Sequence, residues 1–292
     1  TVGIKIKHYG YSDNIMAEKD KGIRNVDMLK KEVDANPDSA FYRYHLGITY
    51  RVKGQHQEAY EQFKAWDELV SVLKENIDLS MGYAAYLGTI ISIGDFEEGV
   101  KVGKKVWNKC SHNPDFTLNY GILLEHTQDF KEAIKVLQRC LATKGQLFPA
   151  LSYDRDSFGW KAQAVLGNVY AQSGELQKAI DHWTQGLVEV PDNRDMIKAC
   201  FTAYMNLGNL IIAEKFLRRL LAYPDQQIEP NKVQLGNILY NTGRIEEALN
   251  LFWTLNDREV YIDQLLTGLI AHQQFDKVKE IDDFLQKNKE VA

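Results

Sequence analysis

Asp154-Arg155-Asp156 is the first candidate for chemistry, because two carboxylates one residue apart can chelate a single divalent ion. That chemistry needs the pair fixed at the end of a buried strand. Here it follows Leu151-Ser152-Tyr153 in a loop ahead of a helix. The competing reading is a solvated loop in which Asp156 or Ser157 caps that helix. Among the seven histidines (His8, His45, His56, His112, His126, His182 and His272) no two stand four apart, the helical spacing of a zinc-binding pair. No nucleophile triad and no glycine-rich phosphate loop stands out. Cys110, Cys140 and Cys200 are far apart in the chain, each at or near an inward helical position. They read as buried small hydrophobes in a reduced, cytoplasmic compartment.

Hydrogen-bonding side chains offer a different chemistry. Tyr44, Arg51, Asn119, His126, Asn168, Gln172, Asn206, Asn237, Asn241 and Gln264 are expected on one face of successive helices, lining a concave surface. Amides dominate this set. Each offers a donor and an acceptor, which suits an extended peptide backbone and imposes little side-chain selectivity. Two readings stay open: a peptide-binding groove, and a merely hydrophilic helix face.

The elements that would position these residues repeat along the chain. Six helix pairs of the form Leu-Gly-x-x-Tyr…Gly…Ala…Phe, and a weaker seventh, run from Ala40 almost to the C-terminus. The clearest copy follows Trp160, with Leu166, Gly167, Tyr170, Gly174, Ala179, Trp183 and Pro191. Gly167 and Ala179 are expected to face each other so that the two helices approach closely, Gly174 to make the turn, and Pro191 to close the second helix. Leu46, Gly47, Tyr50, Gly54, Ala59 and Phe63 form the first copy, and Leu87, Gly94, Phe96 and Gly99 a looser second. Gly121, Leu124, Phe130, Ala133 and Leu137 belong to the third; Cys200, Phe201, Tyr204, Gly208, Ala213 and Leu217 to the fifth. Leu235, Gly236, Leu239, Gly243, Ala248 and Phe252 make the sixth. The seventh ends in a helix whose Lys279, Asp282, Asp283 and Lys287 give the polar outer face of a terminal cap.

Gly167 and Phe201 stand 34 positions apart, the period of the tetratricopeptide repeat, which the motif resembles in spacing and residue type. The expected fold is therefore all-α: a right-handed superhelix of about seven such repeats, with a short N-terminal strand remnant. The amide-lined face resembles that of protein O-linked N-acetylglucosamine transferase, although Val165 and Ala199 interrupt the ladder. It departs from the cationic clamp of chaperone-binding repeats, since Ala164 or Val233 stands where a Lys should precede Asn168 or Asn237.

The 292 residues are 45% hydrophobic and 26% charged, with a net charge of −5 and a pI near 5.8. No basic stripe interleaves with aromatics, so nucleic acid is not an expected partner. No stretch approaches the ~20 apolar residues of a membrane span. A protein or peptide partner is expected, with self-association into a homo-oligomer as a second use of the repeats.

Ahead of the repeats, Val2, Ile4 and Ile6 alternate with Gly3, Lys5 and Lys7 as a strand that ends at His8-Tyr9-Gly10-Tyr11. Ser12 or Asp13 then caps a helix running to about Asp34. The domains read as 1–12, a catalytic-domain remnant; 13–37, a linker helix; and 38–292, the repeats. A lone strand is unstable in water, so the chain is expected to be a fragment. The stretch from Glu68 to Leu79 should extend a helix, and Leu141–Ser157 should be a loop.

Ile4 to Tyr11, with Lys19, Lys21, Arg24-Asn25, Leu29 and Pro37, resembles one particular junction. It is the passage from the catalytic domain of bacterial family 2 glycosyltransferases into C-terminal tetratricopeptide repeats, as in peptide S-glycosyltransferases acting on bacteriocin precursors. The resemblance implies that His8 is a metal or diphosphate ligand, with Tyr9 and Tyr11 on the pocket wall. It also implies a divalent metal (Mg or Mn) and a sugar nucleotide in the intact enzyme, with the nucleotide-binding half and its Asp-x-Asp upstream and no catalytic residue here. The alternative is a free-standing scaffold, with His8 a polar strand-end residue.

Overall fold

The computed structural model describes residues 21–72, 77–146, 152–271 and 273–289, and among them every regular element is helical. The expected strand and its His8, the Ser12 and Asp13 caps, and Pro149 lie outside these residues. The chain divides into two compact units at Ser173/Gly174.

In the first unit, α1 (Lys21–Ala35) leads three helix pairs: α2 (Ala40–Val52) with α3 (His56–Ser71), α4 (Ser80–Ile93) with α5 (Phe96–Cys110), and α6 (Pro114–His126) with α7 (Phe130–Leu141). A π-turn (Ser157–Lys161) then enters α8 (Ala162–Gln172). Val26 and Val33 bury the inner stripe of α1 against α2. The first helices lie side by side, α2 on α4, α4 on α6 and α6 on α8, so residues on their outer faces share one surface. The second unit holds α9 (Leu176–Glu189) and three pairs: α10 (Arg194–Asn206) with α11 (Leu210–Leu221), α12 (Glu229–Asn241) with α13 (Ile245–Trp253), and α14 (Arg258–Ala271) with α15 (Phe275–Lys289).

The motif residues form the core. Ala59, Ala133, Ala179, Ala213 and Ala248 are 0% exposed, as are Phe63 and Leu137. In three other copies the motif glycine lies against the second helix of its pair. A Cβ on Gly47 would stand 3.1 Å from the Phe63 ring, and one on Gly121 or Gly236 would stand 2.4 Å from Leu137 or Phe252. In these three copies the space that glycine leaves is filled by the bulky residue four positions after the alanine. Its role is to admit a large side chain between two helices.

Local signals set the helix ends. Asn113 caps α6 by accepting from the backbone N–H groups of Asp115 (2.9 Å) and Phe116 (3.1 Å), and its amide donates to Ser80 Oγ (3.1 Å) at the start of α4. One expectation fails here. The helix predicted to continue through Leu79 stops at Ser71, whose hydroxyl donates back to the Asp67 carbonyl at 2.6 Å. Asp78 then accepts from the Ser80 backbone N–H at 2.9 Å and starts α4 afresh. Asp67 accepts from the Tyr83 hydroxyl (2.7 Å) and the Lys105 ammonium (2.9 Å), tying the first pair to the second.

Candidate polar cavity of the first unit

Three first helices and one connecting segment line an open cavity of about 330 Å³. Tyr44, Ile48 and Arg51 reach it from α2, Met81, Ala84 and Ala85 from α4, and Asp115, Leu118 and Asn119 from α6. Ser152, Asp154, Ser157 and Lys161 line its far side. Small residues on α4 make room for the polar groups on either side. A Cβ on Gly88 would stand 3.2 Å from Asn119 Nδ2 and 3.3 Å from an Arg51 guanidinium nitrogen. Glycine there lets both side chains lie across the α4 backbone, and Asn119 donates to the Ala84 carbonyl at 2.9 Å.

Part of the expected loop builds the far wall. Asp115 accepts from the Asp154 backbone N–H (3.1 Å) and from the Ser157 hydroxyl (2.6 Å). Burial pushes the Asp115 carboxyl up, against the pull of Ser157, the Asp154 N–H and Lys161. Asp154 pairs with Lys161, which holds its carboxyl below the usual range, and it accepts from the Asp156 N–H at 2.9 Å. The Asp154 carboxylate of the Asp-x-Asp pair is thus engaged by Lys161 and the Asp156 N–H. Ser157 does not cap the following helix as expected, because its hydroxyl is drawn to Asp115; nor does the Asp156 side chain. Among the described residues no group of three or more His, Cys, Asp or Glu side chains is placed to hold a metal ion.

The predicted polar residues separate into groups. Tyr44, Arg51 and Asn119 meet at this cavity. Asn168 and Gln172, one turn apart on α8, both bond to Glu125 of α6, Gln172 through a 2.8 Å contact. Burial pushes the Glu125 carboxyl up to about 7 even though both amides favour its charged form. His126 stacks on Phe96 with ring centroids 4.1 Å apart and is not among the residues lining the cavity. In the second unit Asn241 and Gln264 share a separate cavity of about 550 Å³ with Gln274 and Lys277. The Asn241 amide donates to its own helix, at the Asn237 carbonyl 2.8 Å away. Asn237 and Asn206 are exposed and outside that lining.

Sequence reasoning missed Asp115, Glu125 and Lys161. Asp115 follows Pro114 in a first turn, where an acidic residue ordinarily complements the helix dipole. Glu125 and Lys161 lack the amide chemistry that marked the others. The three cysteines are buried with thiols pushed up to about 12, as expected of small core residues.

Solved structures resemble this arrangement. A tetratricopeptide repeat protein from Parabacteroides merdae aligns at TM-score 0.55 and 15% identity, over 85% of this chain and 92% of that one. YrrB, a TPR protein with an unusual peptide-binding site, aligns at TM-score 0.51 and 16% identity, over 68% and 92%. A chain of the APC/C Cut9–Hcn1 hetero-tetramer aligns at 0.54 and 16% identity, over 80% of this chain. The fold is that of tetratricopeptide-repeat superhelices. This chain spans 41% of that last chain's length. No protein-family model and no curated protein matches it in sequence. Among the described residues no helix is long and apolar enough to cross a membrane.

Proposed function

We propose that the repeats bind a polypeptide and position it for glycosyl transfer by a family 2 catalytic domain joined ahead of residue 1. The observation that carries the binding half is the convergence of Tyr44, Arg51 and Asn119 on one cavity between parallel first helices. Three polar side chains from two helices, with the Ala84 backbone between them, form a built surface for an extended chain. The likeness to YrrB, a TPR protein with an unusual peptide-binding site, supports the same reading. The transfer half rests on the junction-like segment around His8-Tyr9-Gly10-Tyr11. The sugar nucleotide and its divalent metal would belong to the catalytic domain, with His8 contributing a ligand from its edge.

The two halves are tested together in the intact protein, by following sugar-nucleotide hydrolysis and transfer to peptide side by side. His8→Ala is expected to lower both, with helicity by circular dichroism unchanged. Deleting 38–292 is expected to abolish transfer to peptide and spare hydrolysis. Full activity in the His8 variant overturns its role. Absence of any sugar chemistry in the intact protein leaves the scaffold reading in its place.

A further inference from the structure

We infer that the protein associates head-to-tail with a second copy of itself, the lysine face of α5 on one copy seating in an acid-rimmed hollow between α13 and α15 of the other. The hollow, of about 310 Å³, has an apolar floor made by Ile245 and Leu249, both buried, and the half-buried Phe284. Glu246 of α13 and Glu280 and Asp283 of α15 stand around it, exposed. Among the described residues none of these three carboxylates makes an ion pair or a hydrogen bond, and Lys287, also at the hollow, is not paired with them. The neighbouring Glu247 is different, since Arg244 holds it. Three like charges around an apolar floor repel one another. Such a place gains from cations that bring apolar stems with them.

Helix α5 supplies them. Its inner stripe of Gly99, Val102, Gly103, Val106 and Cys110 is buried, and the helix packs on α4 and α6. On its outer side Lys101, Lys104, Lys105 and Lys109 are exposed, at spacings that set them in one row. No Asp or Glu occurs between Glu98 and Asp115 to offset them. Lys105 is held by Asp67, and Lys101 reaches Glu98 only at 3.7 Å. Lys104 and Lys109 make no ion pair among the described residues. The helix dipole accounts for a lysine in the last turn, which is Lys109, but Lys101 and Lys104 stand ahead of it. A lysine stem can lie over the apolar floor while its ammonium reaches a carboxylate on the rim. The net charge of −5 makes two copies repel at long range, so they meet where a basic face of one opposes an acidic face of the other. The two faces differ, which makes the contact head-to-tail and not two-fold. Both belong to second helices, so this association leaves the first-helix face free for the polypeptide.

Sedimentation equilibrium of the full chain tests this at about 0.02 M and about 0.3 M salt, between which the screening length falls from roughly 20 Å to roughly 6 Å. Concentration-dependent association is expected at the lower salt, with a Kd that weakens about tenfold or more at the higher. Two triple variants then reverse one face each: Glu246→Lys with Glu280→Lys and Asp283→Lys, and Lys101→Glu with Lys104→Glu and Lys109→Glu. Each alone should be monomeric at unchanged helicity by circular dichroism. An equimolar mixture of the two should associate again, because each now carries the charge that the other has kept. If a triple variant loses helicity, the single reversals Glu280→Lys and Lys104→Glu make the same comparison. A wild-type chain that is monomeric at every concentration in low salt overturns the inference. Association that survives either reversal overturns it too, by placing the contact elsewhere, and a mixture that stays monomeric shows that the two faces do not meet.

Discussion

A carboxyl that burial raises from its ordinary 4.5 to about 7 titrates near neutral pH, and Glu125 is such a group. The Gln172 and Asn168 amides favour the charged form without cancelling the cost of desolvation. Because the folded state holds this proton more tightly than the unfolded chain, this group's contribution to stability is fully present below about 4.5 and is lost as pH rises through about 7. Glu125→Gln keeps an acceptor for both amides and removes the charge. It is expected to leave hydrogen exchange in α6 and α8 unchanged at pH 4.5 and to strengthen protection there at pH 8, by about 1–3 kcal/mol. Equal protection at both pH values would show that Glu125 is solvated. Neither this carboxyl nor Asp115 was legible in the sequence, since burial and the residues facing it, not its own identity, set the behaviour of an acid. Tyr44, Arg51 and Asn119 were legible because their helical positions fix which face they occupy, and that face is shared between neighbouring helices.

Each helix pair turns back on itself through a residue in the left-handed conformation, and this requirement fixes most of the repeat's punctuation. Gly54, Gly94, Gly208 and Gly243 supply it at φ between +70° and +82°, with no Cβ to clash. In the third pair Gln128 takes the same role at φ +60°. A side chain there costs roughly 1 kcal/mol against glycine. Gln128→Gly should therefore stabilise the α6–α7 pair by about 0.5–1 kcal/mol, read as a higher urea midpoint for the first unit. A fall in the midpoint would mean that the Gln128 side chain contributes contacts that outweigh its backbone. Helix pairs, turns and buried alanines could be read from the sequence because one pattern recurs along the chain. The end of α3 could not, because Ser71 bonding back to Asp67 and Asp78 restarting the chain are one-off events with no repeat to reveal them. The same holds for the Ser152–Lys161 wall, where Ser157 turns from capping duty to Asp115.

At the scale of the molecule, contacts run between adjacent elements, so stability is a sum of local terms and not one global quantity. The division of the chain at Ser173/Gly174 gives that expectation a concrete form. Ala213 is 0% exposed on α11, which packs on α10 and α12. Ala213→Leu adds three carbons to a filled site, an overpacking that costs about 1–3 kcal/mol. In a protein with a single core that loss would lower protection everywhere. Here it should appear in the backbone amides of α10, α11 and α12 and fade with distance along the stack, leaving α2 and α3 at wild-type exchange rates. Hydrogen exchange with peptide-level resolution makes the comparison directly. A uniform drop across all helices would mean that the two units unfold together, and the cavity around Arg51 would then depend on packing far from it. A local drop would allow the proposed polypeptide-binding surface of the first unit to be altered without disturbing the second, because each helix pair then draws its stability from its neighbours.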